Sequence, residues 1–356
     1  MLIFFAKHPR NKPTQGMHHR ILSIDNLFSD KKRIYIHVSF FKNFKRRITQ
    51  INDLTIQHEL NFLVHFFILK NFFQKGTLIY IHTVINGLKI LPFLNKKYEK
   101  VSILDMHGVV PEESAMTGEF FKKVLFSFAE RFCIDKVNYT IHVSRAMKEH
   151  FDKKYPCRKN EDIILPIFER IAKRQDRYQK HSDYKLLVYV GGVQKWQNFD
   201  EVFSFALKNA GDKFYFCFMI PQHSVEIYNK KIPLELKKFI SIKNGDRKAV
   251  FDLLGEADYG FLLRDDILVN NVACPTKVIE YLHFGVIPIV KNNKIGDINY
   301  YGVKTITLDE IKSMDLIKDL LEIRDNNKKA YFQMINDTDV AISQLKRVYT
   351  DECSNY

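Results

Sequence analysis

Residues 257–290, ADYGFLLRDDILVNNVACPTKVIEYLHFGVIPIV, constrain the fold more than any other stretch of the chain. The apolar run 259–263 has the length of a buried strand and is too short for a helix. A polar loop, 264–271, follows. Pro275 stands where the first turn of a helix tolerates proline, since that N–H has no intrahelical partner, and 277–282 continues the helix. Gly285 provides a C-terminal stop, and 286–290, VIPIV, reads as a second buried strand. Strand, loop, helix and strand make one βαβ unit of a parallel sheet. The unit brings Arg264, Lys277, Glu280 and a helix N-terminus to the carboxyl edge of the sheet, where open α/β sheets bind their ligands.

The rest of the chain repeats this alternation. Residues 2–6 read as a strand, followed by a polar loop with Pro9, Pro13 and Gly16 and a helix over 17–28. Strands are expected at 33–38, 77–81, 101–104, 139–143 and 163–165. A strongly apolar helix is expected over 60–73. A long helix over 120–135 carries Phe121, Val124, Leu125, Phe128 and Phe132 on one side, and Ser144 suits the N-cap of a helix over 145–151. Residues 167–184 are crowded with charge and lack an apolar period, as a linker does. The pattern restarts with a strand at 186–190, continues through 199–207, 214–219 and 248–254, and ends in a helical tail over 311–348. The chain therefore reads as α/β with two doubly wound domains, residues 1–166 and 185–338, the linker 167–184 between them, and a terminal helix over 339–356.

Charge divides unevenly between the halves. Residues 1–156 hold 25 Lys and Arg against 13 Asp and Glu, whereas the remainder is nearly neutral. Lys42, Lys45, Arg46 and Arg47 interleave with Phe40, Phe41 and Phe44, a mixture suited to an anionic membrane surface. The same composition would serve nucleic acid, but no nucleic-acid motif accompanies it, and a solvated charged face is the plain alternative. Five scattered cysteines form no CxxC and no Cys/His cluster, so they read as reduced thiols rather than a disulfide frame or a zinc site. No apolar run reaches the length of a membrane span, and MLIFFAKHPR reads as a first strand rather than a signal peptide.

The 257–290 stretch resembles the nucleotide-sugar half of family-4-like retaining glycosyltransferases of the GT-B fold. Bacterial members of the capsule and O-antigen type carry a loop of the form LLR…D…N…A-x-P-T-K-x-x-E-Y-L-x-x-G-x-P-x-I. Here that form is met by Leu262-Leu263-Arg264, Asp266, Asn271, Ala273, Pro275-Thr276-Lys277, Glu280-Tyr281-Leu282, Gly285, Pro288 and Ile289. The resemblance implies two Rossmann-like domains facing across a cleft, with the acceptor held by the basic first half and the nucleotide sugar by the second.

The resemblance also implies site roles. Glu280 would accept hydrogen bonds from the ribose hydroxyls. Lys277, Arg264 and the N–H groups around Pro275, Thr276 and Lys277 would neutralise the departing diphosphate, with Asn271 in the same loop. The glycine pair Gly191-Gly192 lets backbone approach an anion, while the family's Arg and Lys in this turn are replaced by Gly192 and Gln197, leaving Lys195 as the substitute cation. Trp196 is open between core residue and site wall. His107, after the strand at 101–104, would face the donor sugar, and Glu112 or Glu113 would orient the acceptor. Gly16 matches the N-terminal glycine loop, with His18, His19 and Arg20 beside it. The first of the family's two glutamates falls on Val272 and is missing. The implied activity is transfer of a sugar from a nucleotide-sugar donor to a lipid-linked or oligosaccharide acceptor, without a metal or other cofactor. The implied location is cytoplasmic and peripheral, at the inner face of the cell membrane. A catalytically silent GT-B subunit of a polysaccharide assembly complex is the alternative, ahead of a sugar-nucleotide epimerase on the same fold.

Overall fold

The computed structural model describes residues 1–9, 16–73, 78–94, 101–167, 184–211, 213–312 and 320–354. The chain forms two compact units. One comprises Met1–Glu169, Val272–Cys274 and Asp337–Tyr356, and the other Arg170–Asn271 and Pro275–Asn336. Nearly all of the expected 167–184 linker lies outside the described residues.

The first unit begins with strand β1 (Leu2–Phe5), helix α1 (Gly16–Leu27) and strand β2 (Arg33–Ser39). A hairpin of β3 (Arg47–Asn52) and β4 (Thr55–Asn61) follows, then α2 (Phe66–Asn71), β5 (Leu78–His82) and α3 (Thr83–Leu88). Next come β6 (Val101–Met106), α4 (Val110–Met116), α5 (Phe120–Lys136), β7 (Tyr139–His142), α6 (Arg145–Lys154) and β8 (Glu161–Ile164). Among the described residues these strands form one eight-stranded sheet in the order β3-β4-β2-β1-β5-β6-β7-β8. Every pairing is parallel except β3 with β4. β1 and β6 are buried along their whole length, as strands covered by helices on both faces must be. β3 is the edge strand, and its mostly exposed face with Arg47 and Gln50 discourages further pairing.

The apolar segment 60–73 is not one helix. Leu60 and Asn61 end β4, residues 62–65 turn, and only α2 is helical. Asn61 decides this: its side chain donates to the carbonyls of Phe40 and Lys42 and accepts from the N–H groups of Leu63 and Val64, which fixes a turn where a helix would otherwise begin. Ser144 does cap α6, its hydroxyl accepting from the Met147 N–H at 2.9 Å.

The second unit contains β9 (Lys185–Val190), α7 (Phe199–Asn209), β10 (Phe214–Met219), α8 (Gln222–Asn229), β11 (Ile240–Lys243) and α9 (Arg247–Leu254). It continues with β12 (Tyr259–Leu262), α10 (Leu268–Asn271), α11 (Thr276–Phe284), β13 (Ile287–Val290) and α12 (Leu308–Lys312). The described strands form a five-stranded, all-parallel sheet ordered β11-β10-β9-β12-β13. Its core is rich in phenylalanine, with Phe199, Phe203, Phe205, Phe216, Phe218 and Phe261 packed between sheet and helices. Gly285 closes α11 in the left-handed conformation, at φ +70°. α13 (Leu320–Ser354) is the last element, and its Ala341, Leu345 and Val348 pack in the first unit's core with Leu2, Phe4 and Ile21.

Candidate functional site

In the second unit the chain runs from β9 to β10 on one side of the sheet, and β12 takes the other side of β9. The strand order thus reverses between β9 and β12, and the crevice outside their carboxyl ends is the topological switch point of the sheet. Gly191-Gly192 leaves β9 there, and Arg264 follows β12 there.

Two cations converge at this point. The Lys277 ammonium donates to Gln197 Oε1 at 3.1 Å and lies 4.5 Å from the centre of the Tyr189 ring. Arg264 reaches the same Gln197 oxygen at 3.5 Å and donates to Asn270 Oδ1 at 3.1 Å. Among the described residues neither cation forms an ion pair, and the Arg264 Nε is buried without a hydrogen-bond partner. Burial, followed by the neighbouring Arg264, pushes the Lys277 ammonium down to about 7, with Glu280 opposing the shift. Burial likewise lowers Arg264. Like charges held together in a half-buried place are unfavourable unless an anion joins them. A neutral amide oxygen is the group that bridges them here.

Backbone completes the arrangement. α11 begins at Thr276 after Pro275, with no side chain capping its N-terminus, so its first N–H groups and the positive end of its dipole lie in the same turn as Lys277. Gly191 has φ +146°, which strains any residue with a side chain, and a Cβ there would fall 2.2 Å from Lys277 Nζ and displace the end of that lysine. The Tyr189 hydroxyl donates to the Gly192 carbonyl at 2.5 Å and holds the turn. Glu280 sits one turn beyond Lys277 on α11, with its Oε1 4.0 Å from Arg247 Nη2.

The other expected donor-side residues fall around this centre with different partners. Lys195 is exposed, and Gln197 from the same turn is the residue that reaches the cations. Trp196 is 53% exposed and is therefore not a core residue. Asn271 donates to Asp266 at 2.7 Å, while its neighbour Asn270, buried and donating to the Asp265 carbonyl, is the one that positions Arg264. Asp265 and Asp266 pair with Lys291 and Lys294 at the surface. Thr276 is exposed and Pro275 half-buried. Sequence marks Gln197 only as the replacement for a family cation and does not mark Asn270 at all, because amides carry no charge signal; their adjacency to the matched glycine turn and loop is the cue.

In the first unit His107 follows β6 at the carboxyl edge of its sheet. Its ring stacks on His82, with centroids 4.6 Å apart and planes 22° from parallel. Burial, with His82 second, pushes His107 down to about 3, which favours the neutral imidazole, and its Nδ1 is buried without a partner among the described residues. Beneath it lies Asp105, fully buried, which accepts from Arg20 Nε and Nη2 at 2.9 Å each and from the Tyr80 hydroxyl. Although burial opposes ionisation, Arg20 and further hydrogen bonds hold the Asp105 carboxyl well below the usual carboxylate range. The ligating atoms of His82, Asp105 and His107 lie within 4.8 Å of one another. The trio nevertheless fits a metal poorly, since Arg20 holds both Asp105 oxygens with a full positive charge and the near-parallel rings do not converge on one point.

Arg20 is thus a buried support for Asp105, while His19 is exposed and His18 half-buried on the same helix. Gly16 is the first residue of α1, and the loop before it, 10–15, lies outside the described residues. Glu112 is held by Lys154 at 2.7 Å with His150 at 3.7 Å, which lowers it to about 2 against the opposing effect of burial. Glu113 is raised by burial and lies against Gly108, where a Cβ would come 2.4 Å from its Oε1. Spacing alone left these two glutamates equivalent; their partners separate them.

No family model matches the chain. No curated protein sequence matches it either. Its fold is similar over its full length to sucrose-phosphate synthase from Thermosynechococcus elongatus, with a TM-score of 0.67, 10% identity and coverage of 100% of this chain and 99% of that one. It is similar also to an E. coli trehalose-6-phosphate protein bound with UDP-2-fluoro glucose, with a TM-score of 0.64, 11% identity and 98% of both chains covered. A third likeness is to an alpha,alpha-trehalose-phosphate synthase (UDP-forming) from Burkholderia xenovorans in complex with glucose-6-phosphate, at a TM-score of 0.62, 9% identity and coverage of 98% and 99%. These likenesses establish the fold as GT-B, with two Rossmann-like domains.

Proposed function

We propose that the protein is a retaining glycosyltransferase that moves a sugar from a nucleotide-sugar donor to a lipid-linked or saccharide acceptor in bacterial surface polysaccharide synthesis. The observation that carries the reading is the pair Lys277 and Arg264, held together with no ion pair among the described residues at the switch point of the second unit's sheet. A diphosphate has the charge, size and geometry to replace the Gln197 oxygen between them, and the open N-terminus of α11 adds donors. As the bond from sugar C1 to phosphate oxygen breaks, negative charge accumulates on the diphosphate, and these fixed cations stabilise it more than they stabilise the intact donor. Lys277 is poised to take up a proton as the anion enters, and in this chemistry the two cations and the helix dipole serve where other enzymes use a metal. We assign Glu280 to the ribose hydroxyls and Gly191-Gly192 to close backbone approach. His107, neutral and with a free Nδ1, is assigned a hydrogen bond to the sugar or phosphate. Glu113, whose carboxyl burial raises above its ordinary value, is a better acceptor base than Glu112, whose charge Lys154 already holds.

The neighbours support the donor class. The E. coli protein is bound with UDP-2-fluoro glucose, and a trehalose-6-phosphate synthase relative is described as carrying out glycosyltransfer with retention. The polysaccharide role rests on the donor-loop resemblance, and a cytoplasmic, inner-membrane location rests on the basic first unit. One observation favours a second reading, a catalytically silent subunit: Val272, where the resemblance places the sugar-contacting glutamate, is apolar and buried at 3% exposure. A thermal-shift panel of UDP-, GDP-, CMP- and dTDP-sugars against wild type and Glu280→Ala tests the proposal, because a ligand bound only by the native state raises its melting temperature. A shift for one base that Glu280→Ala abolishes supports it, and no shift with any donor refutes it. A shift without sugar transfer to any acceptor leaves the silent subunit.

A further inference from the structure

The helix expected over 120–135 carries Phe121, Val124, Leu125, Phe128 and Phe132 on one side. In the structure α5 buries only its second half, through Ala129, Glu130, Cys133 and Ile134. Its first half stands in solvent, with Phe121 82% exposed and Phe120, Val124 and Phe128 exposed as well. Isolated surface apolar residues are ordinary, but three aromatic rings on one exposed half-helix are not.

A second exposed apolar group lies in the loops after β2 and β4 and at the start of α2, where Phe41 is 87% and Phe67 79% exposed, with Phe44 and Leu63 exposed as well. The topology places both groups at one edge. β2, β4 and β6 run parallel, so the segments that leave them emerge at the same carboxyl edge of the sheet. α5 starts from that edge and returns to β7. Ring contacts link the second group internally: Phe41 to Phe40, Phe40 to Phe62, and Phe62 to Phe66 and Phe93, at 4.8–6.4 Å along the chain of neighbours to Phe93 and Phe66. Cations are threaded through both groups, with Lys122 and Lys123 on α5 and Lys42, Lys45 and Arg46 around Phe44, all exposed.

We propose that the first half of α5 and the loops after β2 and β4 form a membrane-insertion face, which seats the carboxyl edge of the first unit's sheet on an anionic bilayer. Rings enter the headgroup and acyl boundary while the lysines meet lipid phosphates, the division of labour of an interfacial helix. A second copy of this chain is disfavoured as the occupant, because an isologous pairing would oppose two like-charged lysine sets, whereas an anionic surface neutralises both. The face deepens the proposed function by explaining how a lipid-linked acceptor would arrive at the edge that carries His107. Vesicle binding itself requires neither donor nor turnover.

The test is flotation of the full chain with phosphatidylcholine vesicles, with and without phosphatidylglycerol, for wild type and the double variant Phe121→Ser, Phe128→Ser. Both side chains are exposed, so folding is preserved, and the circular dichroism spectrum and melting temperature of the variant check this. The expected result is binding to the anionic vesicles that weakens with added salt and falls about tenfold or more in the double variant. Wild type that fails to float with anionic vesicles, or a variant that floats equally well, overturns the proposal. So does a wild-type dimer in solution that the two serines convert to monomer without any vesicle binding. Vesicle binding without a donor-induced thermal shift would leave this face standing and remove the transferase reading.

Discussion

Replacing Lys277 by methionine should make the protein more stable and useless for donor binding. The ammonium is held at about 7 against an ordinary 10.5. At face value that depression disfavours the charged form in the folded state by about 5 kcal/mol. The side chain still reaches solvent, so about 2–3 kcal/mol is the appropriate scale. Loss of the Gln197 hydrogen bond and of the contact with the Tyr189 ring offsets roughly 1 kcal/mol. The net gain is about 1–2 kcal/mol, or roughly 2–8 °C in the melting temperature of a unit this size. The sign follows from linkage: a lysine whose folded value is depressed costs stability at every pH below its unfolded value, and the cost is complete below the folded value. Lys277→Met should therefore gain most near pH 6, less near pH 9, and fall slightly below wild type as pH approaches 10.5, where only the lost contacts remain. Calorimetric melting of both proteins across that range is the assay. A variant that melts lower than wild type at pH 6, or a difference that does not change with pH, would refute the reasoning. The same lysine predicts proton uptake when diphosphate binds at pH 8, visible as a dependence of titration heat on buffer ionisation.

Gly191→Ala forces a Cβ onto Lys277 Nζ at a φ that alanine resists, so donor binding should weaken by at least tenfold in titration calorimetry while the far-ultraviolet spectrum is unchanged. Asp105→Asn leaves Arg20 buried without its counter-charge and should cost about 3–5 kcal/mol in urea unfolding. Because the folded value of Asp105 is depressed, the pair contributes its stability above the unfolded value near 4, and that stability is lost as pH falls toward the folded value; the Asn variant should lack this acid-sensitive component. Asn270→Ala removes the side chain that orients Arg264 and should weaken donor binding several-fold, whereas Asn271→Ala should not.

The second unit was legible because its strands are apolar runs and its site loop combines a proline, a lysine and a glycine at spacings set by helix ends. The first unit was less so. β4, TIQHELN, buries Thr55, Gln57, His58 and Asn61, and a strand whose inward residues are polar carries no hydrophobic period. The helix expected over 60–73 fails for a related reason: the segment is apolar, but the Asn61 amide fixes a turn that breaks it. α5 shows the converse, since a one-sided apolar helix announces that something covers it without saying what. Arg20 and Asp105 are 85 positions apart, and their pairing depends on α1 and β6 meeting across the sheet, which local pattern does not encode. Gln197 between two cations was similarly out of reach, because its importance lies in what it touches.

The central claim is that a nucleoside diphosphate is held by Lys277, Arg264 and the start of α11. A crystal structure of the protein with the donor or its nucleoside diphosphate tests this most directly. The account predicts phosphate oxygens within hydrogen-bond distance of Lys277 Nζ and of the Thr276 and Lys277 N–H groups, with the Gln197 amide displaced from between the cations. A diphosphate bound elsewhere, with Gln197 still bridging Lys277 and Arg264, would contradict it.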